Sequence, residues 1–209
     1  MIAAERSGRM GGAMSENAAL PDRPWKGHVD DIAGLLEGVA CTVRDGRRLE
    51  PDEAFVQWKQ AAEACRGARR AIYLIGNGAS ASMASHFAAD LAKNAQLHTE
   101  VFSDLSLVTA IANDMGYEHV FSEPLSRRAK EGDMLVAISS SGRSPNVLAA
   151  VDVAQAHRLT VVTLSGMDPD NPLRAAGELN FHVPARSYGY AETCHSSILH
   201  HWMDLLTGD

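Results

Sequence analysis

Cysteine is scarce in this chain: Cys41, Cys65 and Cys194 are the only three in 209 residues. That number and spacing exclude a disulfide framework and fit a reducing compartment, so a cytoplasmic location is expected. Basic charge is also short, with 19 Lys and Arg against 26 Asp and Glu and a formal net charge of −7. A nucleic-acid partner calls for a basic face, so none is expected. No run approaches the ~20 consecutive apolar residues that span a bilayer, so no membrane partner is expected either. The segment from Met1 to Pro24 carries Arg6 and Arg9 but no apolar stretch of the secretory type. Two nucleotide signatures are missing as well: the glycine spacing of a dinucleotide fingerprint and the Gly-Lys-Ser/Thr ending of a P-loop.

What remains is an ordinary globular composition, 45% apolar and 22% charged, at a length that fits one domain plus an appended segment. Residues 1–24 are rich in Gly, Ala, Ser and Pro without periodicity and read as a disordered tail, with Met10 and Met14 as further candidate starts. Residues 25–68 read as two amphipathic helices for oligomerisation. In the first, Val29, Ile32, Leu35, Leu36 and Val39 recur at helical steps, ending near Asp45-Gly46. The second opens on Pro51, with Phe55, Trp58, Ala61, Ala62 and Cys65 on one face. Residues 69–209 alternate apolar runs and helical patterns, with strands at 71–75, 99–102, 133–139, 160–164 and 179–183 and a helix around 118–130 among those between them. The expected fold is α/β: a parallel sheet of about five strands flanked by helices on both faces, with an N-terminal helical pair.

Ligands of such sheets bind at the carboxyl ends of the strands. Two small-residue turns fall there, Gly76-Asn77-Gly78-Ala79-Ser80 and Ser139-Ser140-Ser141-Gly142-Arg143-Ser144. Gly76 and Gly78 permit conformations closed to other residues or close approach of a ligand. Ser80 is expected to cap the following helix, freeing backbone N–H groups for an anion. The second turn has more hydroxyls than one cap can use, and Pro145 suits a first helical turn. Together they point to a small phosphorylated molecule gripped by serines.

In order along the chain, Gly-Asn-Gly-Ala-Ser, Ser-His-Phe-Ala-Ala-Asp-Leu, Ala-Asn-Asp-Met-Gly-Tyr, Ile-Ser-Ser-Ser-Gly-Arg-Ser and Leu164-Ser165-Gly166 resemble the sugar isomerase (SIS) family. Within it, the chain is similar to the phosphoheptose isomerases, from about Val29 onward. That resemblance implies isomerisation of a seven- or eight-carbon sugar phosphate through an enediol, of the type linking sedoheptulose 7-phosphate and heptose 7-phosphate. It implies Ser80, Ser139, Ser141 and Ser144 as the phosphate grip, with Asn77, Gly78 and Asp104 contacting the sugar. It further implies His200, Glu192 and Asp90 as catalytic groups, and a possible zinc ion on His86, Asp90, Glu192 and His200, with no organic cofactor. A homotetramer with active sites between subunits follows from the same resemblance. The alternative is a non-catalytic SIS module that binds a sugar phosphate or a protein partner.

Helical spacing adds its own support, since His86 and Asp90 are four apart and Glu192 and His200 eight apart, roughly one face in each case. Such a set suits either a zinc shell or a carboxylate and imidazole relay. Asp90 and Glu192 depart from the family pattern of glutamate and glutamine, and Glu192 aligns only with a small gap after Tyr190. His195 and His201 read as structural, Cys194 as a buried thiol, and Arg143 as either a phosphate contact or a solvated charge.

Overall fold

The computed structural model describes residues 24–208. The tail at 1–24 and the two candidate start methionines in it lie outside the described residues, except for Pro24. Among the described residues, seven α-helices and seven strands follow one another. They are α1 (Trp25–Glu37), β1 (Ala40–Val43), β2 (Arg48–Leu49), α2 (Pro51–Ala68), β3 (Ala71–Gly76), α3 (Ala79–Asn94), β4 (His98–Glu100) and α4 (Leu105–Asp114). α5 (Ser122–Arg128), β5 (Met134–Ser139), α6 (Pro145–Ala156), β6 (Thr160–Gly166), β7 (Leu179–Val183) and α7 (Tyr188–Thr207) complete the fold. The single sheet has the order β2-β1-β7-β6-β5-β3-β4. β3 to β7 are parallel, and β1 pairs antiparallel with both β7 and β2.

The sheet therefore has two strands beyond the expected five, and they come from the stretch assigned to the N-terminal helical pair. α1 stops at Glu37, and Asp45-Gly46 is the turn of a β-hairpin, with Gly46 at φ +85°. Cys41-Thr42-Val43 and Leu49 have the alternation and β-branched content of short strands, and Asp-Gly between such runs is a hairpin signal. Cys41 and Leu49 pair across the hairpin and are both buried. The region 118–130 also differs. A 3-10 turn at Tyr117–His119 precedes α5. Pro124 cannot donate to residue 120, so a regular helix cannot run through it from upstream.

Alternate residues of the central strands feed two cores. Met134, Val136 and Ile138 face α2, α3 and α7, whereas Leu135 and Ala137 face the opposite layer of α4, α5 and α6. Trp58 of α2 and Trp202 of α7 are fully buried and stack at 4.1 Å between ring centroids. Ile32, Leu35 and Leu36 of α1 lie on the rim of the same core. At the amino edge of the sheet, buried Asp133 accepts from the backbone N–H groups of Ala71 at 2.9 Å and Lys130 at 2.7 Å. Asp133→Ala strands both donors and is expected to cost about 2 kcal/mol in chemical denaturation.

The strand order reverses between β3 and β5, which are neighbours although β4 lies between them in sequence. A crevice opens at such a switch point, outside the carboxyl ends of the strands. Both serine turns sit at that point.

Candidate active site

The first turn owes its shape to two glycines. A Cβ on Gly76 would lie 2.5 Å from the Cβ of Ser80 and 2.9 Å from the carbonyl oxygen of Ile138, so only glycine fits. Gly78 has φ +55° and ψ −123°, a backbone state closed to residues with a Cβ. Gly78, and not Ser80, holds the N-cap position of α3, because this glycine turns the chain two residues earlier than expected. Ser80 is instead the second residue of the helix, buried, with its N–H on the carbonyl of Asn77 at 3.0 Å. Its hydroxyl does not serve as the cap.

In the second turn, Ser139 ends β5 and its hydroxyl lies 3.1 Å from that of Ser144. Ser144 precedes Pro145 at the start of α6, yet its side chain does not cap the helix. Ser141 accepts from the backbone N–H of Arg143 at 3.3 Å. Gly142, at φ +63°, packs against Asn171, whose side chain any Cβ there would overlap. The guanidinium of Arg143 turns outward onto Asp168, and that hydrogen bond, with the backbone N–H of Asp170, pulls the Asp168 carboxyl below its ordinary range. Arg143 thus braces the loop behind the turn.

The two turns are tied together by a residue that sequence reasoning missed. Buried Asn146 exchanges two amide hydrogen bonds with Asn77, at 2.9 and 2.8 Å, and the hydroxyl of Tyr117 donates to the Asn77 oxygen at 3.1 Å. Both lone pairs of the Asn77 oxygen are then used, leaving one N–H for a ligand. Asn146 carries no signal in sequence, since it reads as the second residue of an ordinary helix. Asp104 caps α4, accepting from the N–H of Leu107 at 2.9 Å. An apolar cavity of about 240 Å³ adjoins the first turn, walled by Phe102, Leu105, Tyr117 and Phe121 among others.

Farther along α3, His86 Nε2 and Asp90 Oδ2 lie 3.4 Å apart. His200 of α7 meets them, its ring centroid 5.8 Å from His86 and 4.7 Å from Phe87. His86 thus lies between Asp90 on its own helix and His200 on α7. Glu192 does not join them within one chain. α7 is continuous from Tyr188 to Thr207, and eight residues of helix separate Glu192 from His200 by about 12 Å and a rotation of about 80°. Among the described residues no three His, Cys, Asp or Glu side chains form a group able to hold a metal. The expected zinc shell is thus not assembled among the described residues of a single chain.

The remaining expectations concern structural groups. His195 is fully buried, with Nε2 on the carbonyl of Ser165 at 3.0 Å. Burial pushes its pKa down to about 4, so the ring is neutral near pH 7. His201 packs edge-on against Phe55. Cys194 is buried with its thiol pKa raised by desolvation, which suits a packing role.

The SIS domain family matches residues 52–166 of the chain. A phosphoheptose isomerase of Coxiella burnetii is 33% identical over 162 residues, covering 74% of this chain and 81% of the relative. The solved phosphoheptose isomerase GmhA of Neisseria gonorrhoeae superposes with a TM-score of 0.74 at 28% identity, over 87% of this chain and 96% of that one. A phosphoheptose isomerase structure from Francisella tularensis gives 0.73 at 22% identity, over 88% and 96%, and speaks for the fold alone. The serine turns at a sheet switch point, the acid–base groups on α3 and α7 and these likenesses agree: the chain belongs to the SIS domain family, among the phosphoheptose isomerase-like sugar-phosphate isomerases.

Proposed function

We propose that the chain is an aldose–ketose isomerase of a seven- or eight-carbon sugar phosphate, of the type that converts sedoheptulose 7-phosphate into heptose 7-phosphate. One observation carries this reading. α3 presents the phosphate turn at its first residues and the His86–Asp90 pair in its middle. Six residues of helix from Ser80 to His86 span about 9 Å, a distance suited to a sugar chain held at its phosphate and reacting at its far end.

The hydroxyls of Ser80, Ser139, Ser141 and Ser144, with the N–H groups of the two turns, receive the phosphate. The remaining N–H of Asn77, the backbone of Gly78 and the outer oxygen of Asp104 orient the sugar hydroxyls. Asp90 or Glu192 takes the proton from the hydroxyl-bearing carbon beside the carbonyl, which gives an enediol. His200 donates a proton to the carbonyl oxygen and accepts one from the neighbouring hydroxyl. Return of the proton to the other carbon completes the isomerisation with no net gain or loss of atoms.

The His86 side chain is 55% exposed in one chain, and proton transfer is favoured where water is excluded. A homo-oligomer, tetrameric as in the expected assembly, supplies that cover. It also allows Glu192 of one copy to face the His86–Asp90–His200 group of another. Sedoheptulose 7-phosphate, an eight-carbon ketose phosphate and unphosphorylated sedoheptulose, each followed by NMR, test the reading. Conversion of a phosphorylated sugar and inertness of the free one are expected. A full panel left unconverted by the folded oligomer rejects it in favour of a binding module.

A further inference from the structure

We propose that the amino edge of the sheet, opposite the serine turns, holds a second anion site that takes a small molecule bearing a diphosphate or similarly multivalent phosphate. The amino ends of β3, β4 and β5 meet there around a cleft of about 160 Å³. Arg69, Arg70, Arg128 and Lys130 line it, against only two carboxylates. Both carboxylates are engaged. Glu100 pairs with Arg128 at 3.1 Å and with His98 at 3.5 Å. Asp133 is buried and accepts from two backbone N–H groups. In a chain of net charge −7, a cleft with four cations against two carboxylates, one of them spent on Arg128, is a local reversal of the field carried by Arg69, Arg70 and Lys130, of the kind that concentrates anions.

The backbone supplies an independent observation. Arg69 ends α2 in the left-handed conformation, φ 53° and ψ 42°. Glycine is the usual residue at that position, and a side chain there is strained. The strain places a guanidinium on the rim of the cleft. The next residue, Arg70, lies over Gly132, itself at φ +86°, where an added Cβ would come within 3.5 Å of the arginine Nε. Arg69, one of four non-glycine residues at positive φ among the described residues, is thus turned off the regular helix face, and Arg70 follows it just before β3; an outlier of this sort is a pointer to a site.

Pyrophosphate is the probe, and calorimetric titration of the intact protein at low salt is the measurement. The serine turns also attract phosphate, so Ser144→Ala separates the two sites. Saturable binding that survives Ser144→Ala is expected. It should weaken about tenfold in Arg69→Gly and in Lys130→Ala, the loss associated with one charge-assisted contact. Arg69→Gly should at the same time leave the melting temperature unchanged or higher, because glycine relieves the left-handed strain. Turnover in both variants should remain at the level of the parent protein. Absence of saturable binding, binding lost in Ser144→Ala, or binding indifferent to Arg69 and Lys130 would overturn the site. A fall in melting temperature in Arg69→Gly would assign that residue a structural role and overturn the strain argument.

Discussion

Asp90→Asn is expected to lower turnover by about 10²–10⁴-fold, the usual contribution of one general base. The substitution keeps the size of the side chain and its place beside His86 at 3.4 Å but removes the charge that accepts a proton. KM should change little, because the proposed phosphate grip is at the other end of the substrate. A loss in kcat and kcat/KM alike is the signature of an interaction made in the transition state. His200→Ala should fall in the same range. His86→Ala should lose less if the imidazole orients Asp90 rather than moving protons itself. Equal rates in Asp90→Asn and the parent protein would pass the role of base to Glu192.

Acid should destabilise the protein through His195, by about 3 kcal/mol in total for a pKa shifted from 6.5 to about 4. The cause is local. Nε2–H donates to the carbonyl of Ser165, and Nδ1 is buried with no hydrogen-bond partner. Protonation would place a charge and an unpaired N–H in a dry site, so the folded state resists it. Above about pH 6.5 the ring is neutral in both folded and unfolded chains, and the full stability is present. As the pH falls from there through about 4, the unfolded chain takes up the proton first and stability is lost. His182 is shifted in the same direction by burial and by Arg174, and reinforces the trend. Urea titrations at pH 7 and pH 4.5 should show the loss in the parent protein and a smaller one in His195→Gln.

Much of this fold was legible because buried parallel strands leave strong apolar runs, and 179–183 coincides with β7 to the residue. The hairpin of β1 and β2 was hidden because Val39 continues the helical spacing of α1 by accident and β2 is only two residues long. The serine turns were plain from composition alone. Their coupling was not, since the Asn77–Asn146 exchange joins residues 69 apart in sequence, and no spacing rule reaches that far. Ser80 has the residue type of a cap, yet a glycine at positive φ takes that position. Spacing on α7 says less about Glu192 and His200 than it does about His86 and Asp90. Eight residues return to roughly the same direction but not to the same height on a helix.

Transfer of solvent deuterium into sedoheptulose 7-phosphate is the most direct measurement of the central claim, that one end of α3 grips phosphate while its middle moves carbon-bound protons. In heavy water the parent protein should label the carbon next to the carbonyl. Asp90→Asn should bind the sugar phosphate without labelling it, and a doubly substituted Ser141→Ala, Ser144→Ala protein should lose affinity first. Tight binding by the parent protein without any carbon-bound deuterium would contradict the claim.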